Sequence, residues 1–96
     1  MSDLSPEDQQ GLMQVVLAVE RVLRDLLSPD KINLASFGNM VPHLHWHIIP
    51  RWKDDRHFPE PIWGTPQREC INPHAVSSET LRTALNQRLA AYPPTL

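Results

Sequence analysis

His43-Leu44-His45-Trp46-His47-Ile48-Ile49-Pro50 carries the clearest structural pattern in this chain of 96 residues. Histidine alternates with apolar residues, and a β-strand sends successive side chains to opposite faces. A strand over 43–49 therefore places His43, His45 and His47 on one face, with neighbours about 6.6–6.8 Å apart along the chain. Leu44, Trp46 and Ile48 take the other face, which is expected to pack on a core. Upstream, Lys31 to Phe37 also reads as a strand. Ile32, Leu34 and Ser36 would face one way, and Lys31, Asn33, Ala35 and Phe37 the other. Gly38 and Asn39 tolerate positive φ and Pro42 follows them, so residues 38–42 are expected to loop over the strand ends. An antiparallel hairpin over 31–50 results, with Pro50 expected to close its second strand.

Outward from the hairpin, the spacing predicts a helix on each side. Ser5-Pro6-Glu7-Asp8 is a helix start, with an N-cap serine, proline at the first helical position and acids in the first turn. Leu12, Val15, Val16, Val19, Leu23 and Leu26 then recur at helical spacing until Ser28-Pro29-Asp30 ends the element. A helix over 6–27 would be about 33 Å long. Residues 51–73 contain Pro59, Pro61, Pro66 and Pro73 among Trp52, Phe58 and Trp63. Repeated proline breaks helix and ladder alike, so this segment is expected to be an extended strap pinned by its aromatics. Ser77 is the N-cap of a second, shorter amphipathic helix over 77–91, stopped by Pro93-Pro94. The fold class is α+β.

Ninety-six residues make one domain at most. Nine basic and eleven acidic residues give a net charge of -2, which removes the bulk electrostatic case for binding a nucleic acid duplex. No apolar run approaches the ~20 residues of a membrane helix, and the N-terminus lacks the pattern of a signal peptide. The single Cys70 cannot form an internal disulfide, so a cytoplasmic setting is expected.

Three imidazoles on one face are costly unless that face meets something polar, since each brings a donor and an acceptor. Several readings of the residues stay open. The face can be exposed by chance, or form a satisfied polar seam. An HxH pair can share a zinc ion, with His57, His74, Asp54 and Asp55 as further ligands. All three histidines cannot close on one ion without a bend, because the outer two lie about 13 Å apart along a strand. The remaining reading is catalysis.

On that reading the residues carry a resemblance. His43-Leu44-His45-Trp46-His47-Ile48-Ile49 resembles the His-x-His-x-His-x-x signature of the histidine triad (HIT) family of nucleotide hydrolases and transferases. The long helix, the Asn33 strand, the Gly38-Asn39 loop and the triad strand follow in that family's order. The run from Lys31 to Phe58-Pro59-Glu60-Pro61-Ile62-Trp63 is similar to a bacterial subgroup. The resemblance covers residues 3–65. It implies hydrolysis or transfer at the α-phosphate of a nucleotide conjugate, with His45 as nucleophile and His43 and His47 flanking it. It also implies Asn39, then Asn33, as substrate-binding amides, with no cofactor and no metal. Met40 stands where many relatives carry a hydroxyl residue that contacts the leaving group. Such domains commonly form homodimers and carry early strands that build the nucleoside pocket. This chain opens directly on the helix, so the N-terminal strands of the usual sheet are expected to be absent and the domain over 1–96 N-terminally incomplete. A metal-binding or catalytically silent strand module that pairs with a partner chain is the alternative.

Overall fold

Ser5 and Pro6 start the first helix as their residue types dictate. The Ser5 hydroxyl accepts from the Asp8 N–H at 3.1 Å, which satisfies one of the helix's orphan donors. The structure, a computed structural model, describes residues 3–36, 44–69 and 76–90. Within them run helix α1 (Pro6–Leu27), strands β1 (Lys31–Ala35) and β2 (His47–Arg51), and helix α2 (Ser78–Leu89). α1 ends on Ser28, whose left-handed backbone (φ 47°, ψ 54°) lets its N–H donate back to the Arg24 carbonyl at 3.1 Å. α2 starts on Ser77, whose hydroxyl accepts from the Thr80 N–H. No described helix is long and apolar enough to cross a membrane.

The core lies along α1, where Val16, Ala18, Val22 and Leu23 are buried. At 100° per residue, these and the half-buried Leu12, Val15, Val19 and Leu26 cover an arc of about 160°. That is wider than the stripe expected from the sequence, which omitted Ala18 and Val22. The reason is that α1 packs against both β2 and α2. Val22 and Leu26 line a cavity of about 330 Å³ together with Ala84 of α2. α2 itself buries no residue.

The hairpin is antiparallel, with Lys31 opposite Arg51, Asn33 opposite Ile49 and Ala35 opposite His47. Three details differ from the expected pattern. The ladder begins only at His47, so residues 44–46 approach the strand without joining it. Leu44, outside the ladder, is 45% exposed instead of packed. Pro50 sits inside β2 opposite Ile32, and the strand runs on to Arg51. Among the described residues the sheet has two strands, so each has a side without a ladder partner, on which a missing N–H costs nothing.

Residues 52–69 run through successive hydrogen-bonded turns, with Asp55 N–H to the Trp52 carbonyl, Glu60 to His57 and Gly64 to Pro61. Aromatics pin only part of the segment. The Phe58 ring lies 5.7 Å from the Arg51 guanidinium and 6.0 Å from the Lys31 ammonium, whereas Trp63 is 57% exposed. Asp30, just past α1, accepts from the Lys53 N–H at 2.7 Å and ties these turns to the start of the hairpin.

Candidate active site

His47 is the first residue of β2, and His45 precedes it by two positions. Their rings stand edge to face, with centroids 5.2 Å apart and planes at 84°. His45 is half-buried and His47 exposed, so the pair opens to solvent. The backbone at His45 is held from across the hairpin, because the Ser36 hydroxyl donates to the His45 carbonyl at 2.9 Å. Between the two histidines, the Trp46 Nε1 is buried with no acceptor among the described residues. His43, Asn39, Met40 and the rest of the Gly38–Pro42 loop lie outside the described residues, as do Cys70 and His74.

Asn33 shares a face of the hairpin with His47, since residues 31, 33 and 35 alternate in phase with 51, 49 and 47. Its Oδ1 accepts from an Arg51 terminal nitrogen at 2.7 Å. Arg51 is the centre of a polar hub that sequence reading missed by placing it at the start of the extended strap. It is 2% exposed, the one buried charged residue among those described. Its Nε and a terminal nitrogen form a fork on Asp55, at 2.8 and 3.1 Å, and the same terminal nitrogen donates to the Glu60 carbonyl at 2.5 Å. Asp55 also accepts from the backbone N–H groups of Trp52, His57 and Phe58 at 3.0, 3.0 and 2.7 Å. The Arg51 guanidinium holds the Asp55 carboxyl well below the usual carboxylate range; burial opposes this, and the three N–H donors add to it. The only sequence signal was an Arg and an Asp four positions apart at the end of an apolar run.

That hub bears on the metal alternative. Asp55 spends both oxygens on Arg51 and backbone donors, and the described residues contain no cluster of three His, Cys, Asp or Glu arranged to hold an ion. Two imidazoles at van der Waals range are suited to a different task. One can attack an electrophile through a neutral nitrogen while its neighbour donates to the charge that develops.

The HIT domain family model matches residues 1–54. A bis(5'-adenosyl)-triphosphatase of Saccharomyces cerevisiae is 36% identical over 58 residues, covering 55% of this chain and 28% of that protein. A bis(5'-nucleosyl)-tetraphosphatase (asymmetrical) of Schizosaccharomyces pombe is 35% identical over 60 residues, covering 57% of this chain and 33% of its own length. Among solved structures, a histidine triad protein from Bradyrhizobium japonicum aligns over 90% of this chain and 63% of its own, at 35% identity and a TM-score of 0.67. The chain thus spans about a third or less of these curated relatives and under two-thirds of the solved one.

Proposed function

The chain belongs to the HIT family, and from that premise we propose that it hydrolyses or transfers at the α-phosphate of a nucleotide conjugate through a covalent nucleotidyl-histidine on His45. The neutral imidazole attacks phosphorus in line, the phosphorus–oxygen or phosphorus–nitrogen bond to the leaving group breaks, and water later releases the nucleotide. His47 and His43 donate to phosphoryl oxygens and to the departing group. Asn39 is the first amide to reach the phosphate and Asn33 the second. With Oδ1 given to Arg51, Asn33 has only its Nδ2 hydrogens to offer.

The observation that carries this reading is the edge-to-face His45–His47 pair at the open end of β2. Of the substrate classes that fit a phosphate-facing triad, dinucleoside polyphosphates are favoured. The relatives named above are a triphosphatase and a tetraphosphatase of such compounds, and an AP-4-A phosphorylase of Mycobacterium tuberculosis is 28% identical over 71 residues. The working form is a homodimer, in which the open backbone edges of the two-stranded sheet are covered. Mass spectrometry after incubation with an adenosine phosphoramidate tests the chemistry. An adenylyl adduct on His45, absent from His45→Ala, is the expected result, and an unmodified His45 under turnover overturns it.

A further inference from the structure

Arg51 is too buried, at 2% exposure, to touch a substrate, and its charge is neutralised by the Asp55 fork. Yet one of its terminal nitrogens reaches across the hairpin to Asn33, a residue on the histidine face. A guanidinium has donors and no acceptor, so the amide atom that faces it must be the carbonyl oxygen. This settles the orientation of the Asn33 side chain. The amide nitrogen lies on the other arm of the planar group and is directed away from the guanidinium. The register sets Asn33 opposite Ile49, which makes it the diagonal neighbour of both Arg51 and His47, at about 7–8 Å between backbones. A phosphoryl group with one oxygen on an amide nitrogen and another on an imidazole is of the size to fill that spacing.

We propose that Arg51 is a positioning residue that acts through Asn33: by occupying Oδ1, it fixes the Asn33 amide so that Nδ2 donates to a phosphoryl oxygen of the substrate beside His47. This rests on the triad reading above and deepens it. The Asp55 fork and the Glu60 carbonyl hold the guanidinium in one plane, so the amide is oriented before substrate arrives and no reorganisation is needed at the reacting phosphate. A clamp that only stiffened the hairpin would need an acceptor at position 33 and nothing from Nδ2.

Two substitutions separate the roles. Asn33→Asp keeps an acceptor for Arg51 and replaces the Nδ2 donor with a carboxylate oxygen that repels phosphate. Adduct formation at His45 is expected to slow by about 10²-fold while the melting temperature stays at or above the native value. A near-native rate in Asn33→Asp overturns the proposal by itself, which keeps the test decisive if Arg51→Lys fails to fold. The second test is a cycle. Arg51→Lys should slow adduct formation by about tenfold with Asn33 present, and by about twofold or less in an Asn33→Ala background, because its effect passes through the amide. An equal loss in both backgrounds assigns Arg51 to the hairpin alone. AMP titrated into the same proteins gives the cycle a readout that needs no covalent step. Absence of the adduct with the non-additive pattern retained in AMP affinity would overturn the His45 chemistry and leave the positioning role standing. Additive affinity losses would overturn the positioning role.

Discussion

The two ends of β2, His47 and Arg51, are four positions apart and differ in almost every physical respect. At Arg51 the side chain is buried, every donor group has a partner, and bonds converge from β1 and from the following turns. At His47 the side chain is exposed, the preceding residues have left the ladder, and the Trp46 indole nitrogen is buried without an acceptor among the described residues. The contrast shows where order is stored. A reactive face must stay open to its substrate, so it cannot be rigidified by its own packing. In the positioning role proposed above, it takes its geometry from the opposite end of the same strand, through the ladder and through Asn33.

The largest effect expected concerns the open end. His45→Ala should reduce turnover by at least about 10³-fold with little change in melting temperature, while His43→Ala and His47→Ala leave slower but measurable activity. A His45→Ala protein with near-native kcat would end the mechanism and the contrast together. At the clamped end, Asp55→Ala strands a buried guanidinium, and urea unfolding should register a loss of about 3–5 kcal/mol. An intact denaturation midpoint would show that Arg51 finds other partners.

The same carboxylate sets a pH dependence. Its folded-state pKa is depressed below the ordinary 3.8, so its contribution is fully present well above that value and is lost as pH falls through and below it. Stability measured from pH 6 downward should therefore decline more steeply in the native protein than in Asp55→Asn, and parallel curves would count against the hub. A smaller effect belongs to Ser36→Ala, which removes the hydroxyl bond to the His45 carbonyl and should cost about 1 kcal/mol or less. Last, EDTA treatment should leave activity unchanged; activity lost to the chelator and restored by zinc would move the site to the metal reading.

Much of this was legible in the sequence because its signals are local. Ser5-Pro6 and Ser77 announce their helices through capping chemistry that depends on three or four neighbouring residues. Alternation around His47 pointed to the antiparallel pairing of 31–35 with 47–51, while His43 and the Gly38-Asn39 turn lie outside the described residues. What escaped depends on distant partners. Val22 looks like the margin of a stripe until α2 is laid beside it. Pro50 reads as a strand terminator because the rule against proline assumes a partner on both sides. Arg51 reads only as the start of an extended strap because its fate is decided by Asn33, 18 positions earlier, and by a carboxylate in a turn that the sequence suggested would be extended. Trp63 reads as a buried anchor, yet more than half of it is exposed at the Pro61–Gly64 turn.

The hub also has a consequence for the order in which the chain acquires structure. Every bond to the Arg51 guanidinium and the Asp55 carboxylate, except the one from Asn33, joins residues nine or fewer positions apart. Loops of that size close in about 10–100 ns and at small entropic cost. The turns over 51–60 can therefore assemble as a local unit while the hairpin is still open. Hairpin closure then delivers Asn33 to a guanidinium already committed to its other partners. The Asn33 bond, together with the Asp30–Lys53 bond and the ladder, then becomes the latch that joins a fast local event to a slower non-local one.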